Sequence, residues 1–122
     1  MNKLSAAFLL PVYNAEKTIS YTINSILSQT YNFFKLVIID NGSTDKTSKI
    51  IQNFKENDDR IVIHTLEEAC LTKALCYGIN TIKEDLILRI DADDICAKNR
   101  LTKTIEYMMR NPKCDICFCD FT

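Results

Sequence analysis

The sequence predicts an α/β domain: a mostly parallel sheet covered by helices on both faces. Two patterns carry that expectation. Ala6-Ala7-Phe8-Leu9-Leu10 and Leu36-Val37-Ile38-Ile39 are unbroken apolar runs, as strands buried on both faces require. Segments with apolar residues at helical spacing separate these runs from one another. Composition agrees: of 122 residues, 47% are hydrophobic and 25% charged, enough for one packed core. With two glycines and two prolines there is no linker composition, so residues 1–122 are expected to form a single domain.

Each element follows in order. The first strand is Ala6 to Leu10, ended by Pro11. Ile19, Ile23, Ile26 and Leu27 then follow helical spacing, with Asn14 as the expected cap and Glu16 in the first turn. Leu36 to Ile39 is the second strand, closed by Asp40-Asn41-Gly42. Ser43 or Thr44 is expected to cap a second helix with Ile50, Ile51 and Phe54 on its apolar side. Arg60 to His64 is a third strand. A helix over Ala69 to Ile82 follows, with Leu71, Ala74, Leu75 and Ile79 on one side. Asp85 to Ile90 is a fourth strand. Leu101, Ile105 and Met108 mark a fourth helix that stops near Pro112, and Asp115 to Asp120 is a last strand.

Charge excludes several function classes. Fifteen basic against sixteen acidic residues leave a net charge of −1, without the basic footprint of a nucleic-acid or anionic-membrane binder. The apolar run at Ala6 to Leu10 is too short for a signal peptide or a membrane span. The expected location is therefore the cytoplasm, with membrane association only through partners or segments outside this chain. Cysteines 70, 76, 96, 114, 117 and 119 are then expected as reduced thiols, most of them in the core. Cys114-x-x-Cys117-x-Cys119 lacks the second pair that a zinc site needs, and His64 is the one histidine.

In parallel sheets, ligands bind beyond the carboxyl ends of the strands. The loops there are Pro11-Val12-Tyr13-Asn14, Asp40-Asn41-Gly42-Ser43, Thr65 to Glu68, and Asp91-Ala92-Asp93-Asp94. Asp91 and Asp93 flank one small residue, so both carboxylates can approach one hard cation. Mg²⁺ or Mn²⁺ takes one or two carboxylates and fills its shell with water and phosphate oxygens. Tyr13 can stack on a nucleobase or pack as a half-buried aromatic. Asp40 and Asn41 can bond a base or ribose, or simply shape the turn before Gly42.

Together these loops resemble the family 2 glycosyltransferases of the GT-A fold. The matching segments are Pro11-Val12-Tyr13-Asn14-Ala15-Glu16, Ser25-Ile26-Leu27-Ser28-Gln29-Thr30-Tyr31, Ile39-Asp40-Asn41-Gly42-Ser43-Thr44-Asp45 and Arg89-Ile90-Asp91-Ala92-Asp93-Asp94-Ile95. They occur in order over essentially the whole chain. The resemblance implies a Rossmann-like GT-A domain, truncated before its acceptor-binding part. It implies inverting, metal-dependent sugar transfer from a nucleotide diphosphate sugar to an acceptor hydroxyl, in polysaccharide or glycoconjugate synthesis. Residue by residue, it implies nucleotide-sugar contacts at Pro11, Tyr13, Asn14, Glu16, Asp40, Asn41, Lys73 and Asp91. Asp93 would be the direct ligand of Mg²⁺ or Mn²⁺, and Asp91 would lie near both ribose and metal.

The chain departs from the family pattern at Asn41, where Asp is common, and at Cys70 and Cys76, where Gly and Asn are usual. An amide accepts more weakly than a carboxylate from the imide N–H of uracil, and its NH₂ can donate instead. The general base of the family is expected beyond Thr122, so no catalytic residue is assigned within the chain. The alternative is a non-catalytic nucleotide-sugar-binding or interaction module; turnover against binding alone separates the two. A phosphoacceptor receiver domain is excluded, because Tyr13-Asn14 stands where its acidic pair would be. The acceptor is left open, and a homo-oligomer is compatible with the sequence.

Overall fold

A computed structural model describes residues 4–118. Eight elements alternate along the chain: β1 (Ala6–Val12), α1 (Ile19–Leu27), β2 (Phe34–Asp40), α2 (Thr47–Asn57), β3 (Ile61–Thr65), α3 (Leu71–Thr81), β4 (Leu86–Arg89) and α4 (Arg100–Arg110). The strands form one sheet in the order β3-β2-β1-β4. Every pairing is parallel, as the unbroken apolar runs predict. All four strands therefore end at the same edge.

The strand order has a reversal in it. From β1 the chain steps outward to β2 and β3, then returns to the far side of β1 for β4. Right-handed crossovers put helices on opposite faces when the stepping direction reverses. Accordingly α1 and α2 contribute Ile19, Ile23, Ile26 and Ile51 to one core, joined by Leu101 and Ile105 of α4. That core packs on Ala6, Phe8, Leu10, Leu36, Ile38 and Leu88. On the other face α3 packs Ala74 against Ala7, Leu9, Val37 and Ile39. The point of reversal, between the carboxyl ends of β1 and β4, is where open α/β sheets form a ligand crevice.

Several boundaries and caps differ from the sequence reading, each for a local reason. β1 runs through Pro11 to Val12. The Leu9 carbonyl accepts from Ile90 N–H and the Val12 carbonyl from Asn41 N–H. Successive residues bond alternate neighbours, so residue 11 turns toward β4, which has already ended at Arg89. Proline's missing N–H costs no ladder bond there. Asn14 does not cap α1: Thr18 is the N-cap, without a side-chain bond, and no acidic residue lies in the first turn. Neither Ser43 nor Thr44 caps α2, whose N-cap is Lys46. These short polar side chains are used between loops instead.

The third helix turns differently from its expected stripe. Ala74 and Gly78 are its buried residues, whereas Leu71 and Ile79 are 49% and 56% exposed. Gly78 lets α3 lie close on β1: a Cβ there would sit 2.3 Å from Leu9 Cδ1. Residues 115–118 of the expected last strand form no strand, and residues 119 and 120 lie outside the described residues. Of the five described cysteines only Cys96 is buried; Cys76 and Cys117 are exposed. The expectation of core thiols therefore fails for most of them. No helix among the described residues is long and apolar enough to cross a membrane.

Candidate functional site

Two clefts open at the carboxyl edge, and Tyr13 lines both. The smaller, about 250 Å³, is lined by Pro11, Val12, Tyr13, Asn41, Ala69 and Leu71. The larger, about 420 Å³, lies at the reversal point; Tyr13, Asn14, Glu16, Lys17, Asp45 and Asp93 are among its walls. The Tyr13 side chain is half exposed. It stands at the junction of a mostly apolar cleft and a polar one.

The smaller cleft has one unsatisfied polar atom. Asn41 is 5% exposed, and its Oδ1 has no hydrogen-bond partner among the described residues. A buried acceptor left unpaired costs about 1–3 kcal/mol, so it is a natural partner for a ligand donor. Its neighbour Asp40 has a different job. Asp40 is 1% exposed; its Oδ1 accepts from Ser43 N–H at 3.1 Å and its Oδ2 from the Ser48 hydroxyl. That carboxylate closes the turn after β2, which leaves Asn41 as the member of the pair that lines a cleft. Gly42 completes the turn at φ +78°, where a Cβ would meet the Glu67 carbonyl oxygen at 3.0 Å.

The loops after β1 and β2 are stitched to each other. Asn14 adopts φ 45°, the left-handed region that Asn tolerates best after Gly. Its Oδ1 accepts from Thr44 N–H (2.7 Å) and Asp45 N–H (3.3 Å), and its Nδ2 donates to Thr44 Oγ1. Asn14 N–H donates to Ser43 Oγ and Ala15 N–H to Thr47 Oγ1. Glu16 N–H donates to Asp45 Oδ2, and Glu16 Oε2 accepts from Lys46 N–H. Desolvation pushes the Asp45 carboxyl upward. Bonds from the Thr47 hydroxyl and N–H and from Glu16 N–H outweigh it and hold the group below its ordinary 3.8. Asn14 and Glu16 thus reach the cleft, but their side chains are committed to holding its wall.

The turn after β4 forms the opposite wall. Asp94 N–H donates to the Asp91 carbonyl at 3.1 Å, closing a tight turn around Ala92 and Asp93. Both carboxylates are exposed, and Arg89 lies 3.4 Å from Asp91 Oδ1. Asp93 lines the larger cleft. The donor set suits a hard cation: two carboxylates in a tight turn, open to water. Among the described residues no group of three or more potential ligands gathers. A Mg²⁺ or Mn²⁺ here would take its remaining ligands from water and phosphate, as those ions commonly do.

Lys73 is not brought to the site. It lines neither cleft, and its ammonium pairs with Glu68 on the exposed side of α3. The hydrogen bond between them lowers the Glu68 pKa and raises that of Lys73. The lysine facing the polar cleft is Lys17. Sequence reasoning passed over it, together with Asp45, Ala69 and Leu71, because no local pattern sets them apart from loop and helix surface.

A parallel α/β sheet with clefts at its carboxyl edge, and an Asp-x-Asp turn on one wall, is a GT-A-type arrangement. Comparison with known proteins agrees. The family model "Glycosyl transferase family 2" matches residues 7–121, and the chain belongs to that family. It is 38% identical over 104 residues to the O-antigen biosynthesis glycosyltransferase WbnJ of Escherichia coli, covering 84% of this chain and 41% of that protein. It is 34% identical over 106 residues to a poly-beta-1,6-N-acetyl-D-glucosamine synthase of Staphylococcus aureus, covering 87% of this chain and 26% of that protein. The chain thus spans less than half the length of these relatives.

Solved structures share the fold. S. aureus TarS 1-349 in complex with UDP superposes with a TM-score of 0.82 at 23% identity, over 89% of this chain and 33% of that one. The mannosyltransferase PcManGT from Pyrobaculum calidifontis, in complex with GDP-Man and Mn2+, gives 0.77 at 20% identity, over 85% and 32%.

Proposed function

We propose that this chain is the donor-binding part of a glycosyltransferase that moves a sugar from a nucleoside diphosphate sugar to an acceptor hydroxyl. The reading includes inversion at the anomeric carbon, a divalent cation, a cytoplasmic location, and a place in polysaccharide or glycoconjugate synthesis. One observation carries it: an apolar cleft with an unpaired buried acceptor, Asn41 Oδ1, adjoins a polar cleft bearing Asp93, with Tyr13 between them. Base, ribose and diphosphate have that order of polarity and that connectivity. Relatives named for O-antigen and poly-beta-1,6-N-acetyl-D-glucosamine synthesis, and neighbours in complex with UDP or with GDP-Man and Mn2+, support the same reading.

In this reading Tyr13 stacks on the base while Pro11, Val12, Ala69 and Leu71 exclude water from it. Asn41 reads the base edge, accepting on Oδ1 and donating from Nδ2. Asn14 and Glu16 hold the loops in register. Lys17 faces the diphosphate as a mobile positive charge. Asp93 and Asp91 would hold Mg²⁺ or Mn²⁺, which when bound offsets negative charge on the diphosphate leaving group.

A binding role without turnover has its own support. Of the carboxylates lining the polar cleft, Glu16 and Asp45 accept from loop N–H groups, and in this reading Asp93 is taken up by the cation. None is free to take a proton from an acceptor hydroxyl. General-base catalysis contributes about 10²- to 10⁴-fold, and acceptor positioning contributes more. The 122-residue chain is therefore expected to bind nucleoside diphosphates in a Mn²⁺-dependent way without acceptor-dependent transfer. Calorimetry with UDP, GDP and dTDP, with and without Mn²⁺, tests the first half. A radiolabelled-donor transfer assay tests the second, and robust transfer by the purified chain would show that it contains its own base.

A further inference from the structure

The segment from Asp91 to Asn99 has little regular structure of its own. Its position comes from α1. Thr18, Thr22, Ser25 and Gln29 recur at steps of four, three and four residues, which places them along one side of the helix. Thr18 Oγ1 and Thr22 Oγ1 both donate to the Ala92 carbonyl, at 2.9 and 3.0 Å. Ser25 Oγ accepts from Cys96 N–H at 2.9 Å. Gln29 donates to the Ala97 carbonyl at 2.7 Å and accepts from Leu101 N–H at 3.0 Å. Thr30 N–H, one residue further, donates to the Lys98 carbonyl at 2.9 Å. A polar stripe beside the apolar one thus docks the whole connection between β4 and α4.

The first two of these bonds converge on one atom, and that atom belongs to the residue between the two aspartates. A carbonyl oxygen accepts twice, so Thr18 and Thr22 together fill it and fix the plane of the Ala92–Asp93 peptide. Rotation of that plane would swing the Asp93 carboxylate relative to Asp91. Thr22 is 1% exposed, so its hydroxyl has no water to turn to; its other acceptor, the Thr18 carbonyl, is at 3.5 Å. Valine would fill the same space on α1. What the hydroxyl adds is a bond to an exposed turn.

We propose that Thr22, assisted by Thr18, is a positioning residue for the cation: it holds the Ala92 peptide so that Asp91 and Asp93 present their carboxylates to one hydrated Mg²⁺ or Mn²⁺. The inference rests on the donor-binding reading above, and its test keeps the two separable. UDP and GDP are titrated with and without Mn²⁺ into wild type, Thr22→Val, Thr22→Ser and Thr18→Val/Thr22→Val, and amide exchange is followed at Asp94, whose N–H closes the turn. Thr22→Val is expected to weaken the Mn²⁺-dependent affinity about five- to tenfold, the scale of one net hydrogen bond. The double variant weakens it further, and the metal-free affinity of Thr22→Val, at a position that lines neither cleft, stays within about twofold. Asp94 exchanges faster, and Thr22→Ser restores both readouts. Thr18→Val alone, at a partly exposed site, gives the same readouts if the double variant loses its fold. Wild-type Mn²⁺ dependence together with unchanged Asp94 exchange in the variants overturns the proposal, as does an equal loss with and without Mn²⁺. A wild-type chain that binds nucleotide but ignores Mn²⁺ overturns the proposal and leaves donor binding standing, whereas one that binds no nucleotide with or without Mn²⁺ sinks the donor-binding reading.

Discussion

The two walls of the cleft are built by opposite means. The wall from the β1 and β2 loops is reciprocal: Asn14, Glu16, Ser43, Asp45 and Thr47 bond one another's backbones across some thirty residues of sequence. It carries its own order and leaves one buried acceptor, Asn41 Oδ1, unpaired. The wall from the β4 turn is borrowed: its backbone is held by hydroxyl and amide groups of α1, seventy residues away in sequence. Its carboxylates stay exposed. The contrast suits the proposed ligands. An apolar base gains from a rigid, dry slot, whereas a hydrated cation needs carboxylates that keep access to water.

The largest expected effect falls on the borrowed wall. Asp93→Asn should reduce Mn²⁺-dependent nucleotide affinity at least about 100-fold, beyond what outer-shell changes cost at metal sites, with unfolding free energy unchanged. Asp91→Asn should cost less, because Arg89 already shares that carboxylate. Calorimetry with and without Mn²⁺ checks both. Unchanged metal-dependent affinity in a folded Asp93→Asn chain would remove the metal role from this turn.

On the reciprocal wall the first effect is on stability. Asn14→Ala loses the Asn14 side-chain bonds to Thr44 and Asp45 and forces alanine to φ 45°. A loss of about 2–3 kcal/mol is expected in urea unfolding. Asn14→Gly keeps the backbone and should recover part of it. If Gly and Ala cost the same, backbone strain plays no part in holding this wall.

Asn41→Asp sharpens the comparison from inside the proposed base slot. A carboxylate there should shift preference toward UDP by about 1 kcal/mol, the scale of one hydrogen bond gaining charge assistance. Equal gains for UDP, GDP and dTDP would mean that position 41 does not read the base. The smallest effect is on pH dependence. Asp45 is depressed in the folded chain, so its contribution is present above the ordinary 3.8 and is lost as the pH falls through the lower folded value. Asp45→Asn should therefore flatten the acid limb of stability below pH 3.8, by losing that contribution at neutral pH while leaving the acid end little changed. An identical acid limb in both proteins would assign that limb to other carboxylates, such as Asp58 beside Arg60, whose hydrogen bond lowers it in the same direction.

How much of this was legible in the sequence depended on range. Elements were legible because burial on two faces writes itself as an unbroken apolar run, and one-sided burial as a helical repeat. Asn41, Asp91 and Asp93 were legible as candidates because they follow apolar strands. Their placement at one edge needed only the parallel-sheet rule. The caps were misread because Asn14, Ser43 and Thr44 are good capping residues by type, and local chemistry cannot reveal that a loop thirty residues away uses them first. No local pattern marks Lys17, and the resemblance points to Lys73. Only the docking of α3, set by Gly78 against Leu9, turns it toward Glu68 and away from the cleft.

By itself, then, the sequence determined the alternation of strand and helix, the parallel sheet and the chemistry available at its carboxyl edge. These follow from local periodicity and from the side chains that happen to end each strand. The tertiary structure decided which of those side chains line a cleft and which hold the frame. Asp40 and Asn41 are chemically close neighbours, yet one is sealed by Ser43 and Ser48 and the other is left with an unpaired acceptor. The physical reason is that a buried polar group takes whatever partner the fold brings within 3 Å or so, and that partner is set by strand order and helix packing.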